Sequence, residues 1–431
     1  MAESLLLAFR EAYQNLDLLP LLDENELAKF RVPYGGEVLA ELQQLVEDDG
    51  SENGKTIFAG HRGCGKSTLL AEFGRQCQQR GYFVVFFSIA DTIEMSDVNH
   101  INILFAIAVN LMYQAERENV KIPAGTKEAF NQWFATKTRI ETETPVSAEV
   151  SVGFNLFEFI RGKLKSEASI RNEIKQEFER KISDLVAQIN IMAAAIKNVT
   201  NKKVLVIIDD LDKLDLAVVR EVYKEHIKAL FLPGFQIIYT TPVASLRDAS
   251  LRAMMITETD NQIVEMPVSK LFAKGERRQP EPEAIAPAVS TLCEVLKKRI
   301  PSGVLEPETA TQIVINSGGV MRELIRLANV CCRICLRQIR WQPDRSDIAI
   351  DQAVLQQGIK ELRLDFEMTL GKADFEILRT THERFLPDDP KEQKFLDLLH
   401  GLHVLEYRND EIWYDLHPIV EELLRRKELI E

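Results

Sequence analysis

An α/β fold, a parallel sheet with flanking helices, is predicted by three features of this 431-residue sequence. Five short runs rich in Val, Ile and Phe are separated by helical patterns, as strands buried on both faces should be. The first run leads directly into Gly60-His61-Arg62-Gly63-Cys64-Gly65-Lys66-Ser67-Thr68, a full match to G-x-x-x-x-G-K-S. The third run ends in Asp209-Asp210-Leu211-Asp212, acids placed where a buried strand leaves the sheet.

Length and 45% hydrophobic content predict roughly two to four domains with sizeable cores. The opening Met1-Ala2-Glu3-Ser4-Leu5-Leu6-Leu7 lacks a basic region and reads as an amphipathic helix, not a signal peptide. No apolar run reaches membrane-spanning length, so no membrane association is expected. Six cysteines in this length make no disulfide framework, and a reducing, cytoplasmic setting is expected. Cys331, Cys332 and Cys335 share one helical pattern and read as small core residues.

The strand runs fall at 56–60, 83–89, 204–209, 235–241 and 261–267. About 114 residues separate the second from the third, too many for one loop. Residues 96–118 look helical, and 136–150 read as a polar, exposed connector. From Ile170 to Val199, apolar residues recur at three- and four-residue steps, which predicts one amphipathic helix of about thirty residues, roughly 45 Å long. That helix either packs along the core or serves as a lever or oligomer contact. Residues 273–287 carry Pro280, Pro282 and Pro287 and read as a linker. Helices follow at 286–299, 306–316, 319–340 and 350–362. The end of the chain reads helix, hairpin, helix, the outline of a winged-helix-like module. The predicted organisation is an N-terminal helical segment and linker at 1–50, and a P-loop core at 51–272 with an insertion at about 90–203. A helical lid at 284–342 and a winged-helix-like domain at 343–431 complete it.

The chemistry follows from residue types. Gly60, Gly63 and Gly65 let the loop backbone turn its N–H groups inward around a β-phosphate. The helix opening at Lys66 adds its positive end, Lys66 reaches the β- and γ-phosphates, and Ser67 offers a hydroxyl to Mg2+. His61, Arg62, Cys64 and Thr68 complete the expected nucleotide contacts, and Cys64 stands at a position that does not call for a catalytic thiol. The cofactors expected are ATP and Mg2+. Asp209 ends its strand where a carboxylate meets the magnesium shell, and Asp210 is the candidate for orienting the attacking water. An Asp there is shorter than the more usual Glu, so slow hydrolysis is expected. Thr240 and Thr241 end the fourth run; either one meets the γ-phosphate or its water, or they cap a turn before Pro242. Arg322 opens a helix after Gly318-Gly319 and either reaches the phosphates from a second domain or lies on the surface. Arg247 and Arg252 are weaker candidates for a finger aimed at a neighbouring copy. Pro33 and Tyr34 lie either against the adenine ring or in a packed turn.

These motifs in this order resemble the AAA+ ATPases, the origin-initiator and transposition-regulator branch more than the unfoldases. They are also similar to STAND and KAP-type ATPases, whose second motif often reads apolar-Asp-Asp-apolar-Asp, as Ile208-Asp209-Asp210-Leu211-Asp212 does. The resemblance covers about residues 30–340. The long insertion, the Asp-Asp pair and the lack of an Asn ending the fourth strand depart from the plain pattern and argue against ring assembly and fast turnover.

Three functions fit. One is a slowly hydrolysing switch that couples nucleotide state to a protein partner or to nucleotide-dependent homo-oligomer assembly. The second is a DNA-binding initiator or loader that reads DNA with the winged helix. The third is an oligomerising sensor of a defence system. Net charge is −13, and residues 361–431 hold eighteen acids against ten Lys and Arg, so phosphate backbones are repelled there and nucleic acid is disfavoured as the partner. Lys163, Lys165, Arg171 and Lys175 form a basic cluster that reads as a solvated face. A small-molecule kinase is disfavoured because no acceptor site is evident.

Overall fold

Continuous apolar strands need cover on both sheet faces, and the computed structural model provides it. It describes residues 2–48, 52–138, 156–408 and 411–431. Two compact units divide the chain: residues 38–59 with 70–264, and residues 1–37 with 60–69 and 265–431.

The sheet has five strands: β1 (Lys55–Gly60), β2 (Tyr82–Ser88), β3 (Lys203–Asp209), β4 (Gln236–Pro242) and β5 (Ile263–Met266). Each coincides with a predicted run to within one or two residues. The spatial order is β2-β3-β4-β1-β5, and β2, β3 and β4 run parallel, with Ser88 opposite Asp209. Residues of β1, β3 and β4 are buried on both faces, which is why their sequences are apolar without alternation. The apolar helix His100–Arg117 is covered almost all round, and its Asn99 cap accepts from the backbone N–H groups of Ile101 and Asn102.

The insertion folds as helices Ala124–Lys137, Leu156–Ser166, Ala168–Phe178 and Ile182–Thr200, all contributing to the same core. The predicted thirty-residue helix is therefore two helices. Glu179, Arg180 and Lys181 are exposed, and Lys181 leaves helical geometry at φ −133°, ψ 35°. The apolar period survives the break because both helices face one core, so periodicity alone could not reveal it. Most of the polar connector predicted at 136–150 lies outside the described residues; positions 136–138 belong to the end of the helix Ala124–Lys137 and its cap.

In the other unit, helices Ala286–Lys297, Pro307–Asn316, Met321–Trp341 and Gln352–Glu367 occupy the predicted places. Cys331, Cys332 and Cys335 are buried along Met321–Trp341, and burial pushes the Cys335 thiol up to about 12. The N-terminal helix Ala2–Asn15 packs on Met321–Trp341, and the segment after it is fastened there by Asn329 Nδ2 donating to Leu16 O at 3.1 Å. The chain then forms helices Lys372–Arg384 and Gln393–His400, the antiparallel hairpin β6 (Val404–Arg408) and β7 (Ile412–Leu416), and helix Pro418–Arg426. Residues 409 and 410, part of the predicted wing, lie outside the described residues. Linker arginines lock the hairpin. Arg277 donates to Asp415 at 3.1 Å and pairs with Glu421, and Arg278 pairs with Asp415 at 2.5 Å while lying over the Phe385 ring. Among the described residues, no helix is long and apolar enough to cross a membrane.

Candidate functional site

The phosphate loop turns between the end of β1 and the helix Lys66–Gln79. Two of its glycines have positive φ, Gly63 at 82° and Gly65 at 101°. Space is closed there as well. A Cβ on Gly63 would sit 2.5 Å from Arg322 Cβ, and one on Gly65 would overlap the Tyr34 hydroxyl. Lys66 is buried, its ammonium donating to the carbonyls of Gly60 at 3.1 Å and His61 at 2.8 Å. Those carbonyls hold the amine over its own loop.

Elements of the same unit grip the loop from three directions. Tyr34, whose ring carries the Arg31 guanidinium 4.1 Å from its centroid, donates to Gly65 O at 3.4 Å. Tyr34 thus stands beside the loop backbone, and Pro33 is exposed. Arg322 N, in the first turn of Met321–Trp341, donates to Gly63 O at 2.9 Å. His61 Nε2 accepts from Glu406 N of β6 at 2.9 Å, a bond between the loop and the C-terminal hairpin. Tyr407 adds a donation from its hydroxyl to Gly318 O at 2.9 Å, and burial raises that phenol far above its ordinary value. Thr68 Oγ1 accepts from Leu21 N at 3.1 Å, so this hydroxyl anchors the N-terminal segment. Ser67 is half-buried, Cys64 buried and Arg62 exposed.

The acidic strand end belongs to the sheet unit. Carboxylate oxygens of Asp209, Asp210 and Asp212 lie within 4.8 Å of one another and all three residues are buried. Hard oxygen donors this close suit a divalent cation such as Mg2+. Asp210 is left-handed, φ 68°, an uncommon state for a non-glycine residue. Its carboxylate is held twice: Ser88 Oγ donates to Oδ2 at 2.6 Å, and Lys213 Nζ pairs with Oδ1 at 2.6 Å. Neither residue was singled out from sequence. Ser88 reads as the cap of the short helix Ile89–Thr92, a role it also fills by accepting from Ala90 N. Its place opposite Asp209 in the parallel register is the signal that would have found it.

The two threonines differ. Thr240 Oγ1 donates to Ile208 O at 3.1 Å and accepts from Leu211 N at 3.0 Å, so it pins the β3 exit to β4. Thr241 Oγ1 meets a neighbouring hydroxyl, Ser245 Oγ at 3.0 Å, which itself donates to Pro242 O. Arg247 ends the short helix Val243–Arg247, and Arg252 lies in Ala249–Glu258; both are half-buried. Asp248 between them caps Ala249–Glu258 and pairs with Arg220 at 3.0 Å.

Residues 57–267 match the KAP family P-loop domain. No curated protein matches the sequence. Among solved structures, the Cdc6p protein of Pyrobaculum aerophilum is similar at 13% identity and TM-score 0.39, over 95% of this chain and 97% of that one. The ORC2 protein of Aeropyrum pernix, solved as ADPNP-ADP complexes, is similar at 13% identity and TM-score 0.43, over 97% and 98%. A RuvB variant of Thermotoga maritima is similar at 14% identity and TM-score 0.39, over 96% and 99%.

Proposed function

On the premise that residues 57–267 are a KAP-type P-loop NTPase domain, we propose that this chain is an ATP-binding, slowly hydrolysing switch that passes nucleotide state to its C-terminal module and through it to a protein partner. The carrying observation is the pair of bonds that tie the phosphate loop to the lid helix and to the hairpin, Arg322 N to Gly63 O and Glu406 N to His61 Nε2. A loop that must rearrange around a triphosphate pulls on both.

In this reading the backbone of residues 60–68 cradles the phosphates, and Lys66 exchanges its loop carbonyls for phosphate oxygens. Lys66 and Asp209 are taken to serve one nucleotide because the two sequence motifs that carry them pair in that way in P-loop NTPases. Ser67, Asp209 and Asp212 are the residues that fit Mg2+, whose charge neutralises the β- and γ-oxygens when bound. Asp210 orients and deprotonates the attacking water, Thr241 supports that water, and Arg322 responds to the γ-phosphate from the lid. Residues 284–342 act as lid and 343–431 as a winged-helix-like reporter whose acidic surface suits a protein partner better than nucleic acid. Nucleotide-dependent self-assembly is a second output of the same switch, with Arg247 as the residue offered to a neighbouring nucleotide.

Phosphate release from purified protein tests the reading. Lys66→Ala is expected to abolish release together with ATP binding. Asp210→Asn is expected to keep binding and lose at least ~100-fold in rate, the usual worth of a positioned general base. Equal release from all three proteins would remove the ATPase assignment.

A further inference from the structure

Asp210 is an unusual base: each of its two oxygens already has a donor. Ser88 takes Oδ2, and the ammonium of Lys213 takes Oδ1 at 2.6 Å. The backbone enforces the second contact. The left-handed turn at Asp210 leads into the short helix Leu211–Lys213, and Lys213 N donates to Asp210 O at 3.1 Å. The backbone hydrogen bond and the ion pair close the same four-residue turn, so little chain entropy opposes the pair. The carboxylate side chain is 12% exposed, which strengthens the attraction, and Lys213 is 35% exposed, which leaves its amine a path into solvent.

A carboxylate with a donor on each oxygen has fewer lone pairs to offer a water, and the ammonium occupies the side from which one oxygen would meet it. We propose that Lys213 is a built-in brake on hydrolysis: a positioning residue that holds Asp210 in an ion pair and releases it when its amine swings outward. This rests on Asp210 acting as the water-orienting base. It assigns to one exposed amine the control of turnover, and it makes that amine the point at which a partner carboxylate, or a neutralising modification of the lysine, would accelerate the enzyme.

The test is steady-state phosphate release alongside affinity for a non-hydrolysed ATP analogue. Lys213→Ala is expected to raise kcat ~2–5-fold, the upper part of the range an ion pair of this partial exposure supports. Analogue affinity should stay within about twofold, since the pair holds the base and not the nucleotide. Lys213→Arg should bring kcat back toward the unmodified rate. In an Asp210→Asn background, Lys213→Ala should change nothing. A purely structural lysine would instead lower both kcat and the melting temperature. An unchanged or lowered kcat in folded Lys213→Ala protein overturns the brake, as does an equal gain in the Asp210→Asn background. If phosphate release depends on Lys66 but ignores Lys213, only the brake fails. If release is independent of Lys66, the underlying assignment of the site fails with it.

Discussion

The bond from Glu406 N to His61 Nε2 gives a measurable handle on the proposed switch. His61→Ala removes the acceptor and leaves the Glu406 N–H buried without it, because Glu406 is 2% exposed. Stranding a buried backbone donor costs about 1–3 kcal/mol. For a unit of 150–250 residues each kcal/mol moves Tm by roughly 2–4 °C, so His61→Ala should melt about 2–12 °C lower. The functional consequence is more specific. Trp413 stacks on Tyr407 with ring centroids 4.6 Å apart, one residue along β6 from the bond, so its emission reports the hairpin. In a Trp133→Phe, Trp341→Phe background, which leaves Trp413 alone of the three tryptophans, ATP is expected to change Trp413 emission. His61→Ala should bind ATP and lose that change. If it binds ATP and the change persists in full, the hairpin does not read the loop through His61, and the coupling argument falls.

Other expectations follow from the same geometry. Gly65→Ala should lower ATP affinity at least ~10-fold by calorimetry, because a Cβ at φ 101° is strained and overlaps the Tyr34 hydroxyl; normal affinity would show that the loop can shift aside. Acid should loosen the C-terminal module in two stages. Burial holds His417 down at about 3, below its ordinary 6.5, so its contribution is present above 6.5 and is lost as pH falls below that value. Glu421 is brought to about 2: burial alone would raise it, but the neighbouring His382, 3.8 Å away, and the Arg277 and Arg425 charges outweigh burial. Its contribution, about 3 kcal/mol at 1.36 per pH unit, is present above the ordinary carboxylate range and fades as pH falls toward 2. Glu421→Gln should flatten the lower stage of a pH-melting curve, and an unaltered curve would refute the assignment.

Much of this molecule is legible in its sequence for a physical reason. Strands buried on both faces must be continuously apolar, so β1, β3 and β4 announce themselves, and the glycine pattern of residues 60–65 has few uses besides a phosphate loop. The helix break at Glu179–Lys181 was hidden because a one-turn interruption need not disturb which face is apolar. The motifs legible in the sequence each lie in one short segment, as those carrying Lys66 and Asp209 do. Pairings between distant segments were not legible. Ser88 meets Asp210 across 122 positions, and His61 meets Glu406 across 345. Lys213 is local to Asp210, yet its contact depends on the left-handed backbone at Asp210, which residue type does not reveal.

Whether one nucleotide engages both motifs is decided by the Mg2+ dependence of ATP affinity, measured by calorimetry on unmodified, Lys66→Ala and Asp209→Ala proteins. The account predicts that Mg2+ tightens ATP binding to the unmodified protein, that Lys66→Ala binds no ATP at either condition, and that Asp209→Ala binds ATP with no gain from Mg2+. A full Mg2+ gain in Asp209→Ala would contradict it.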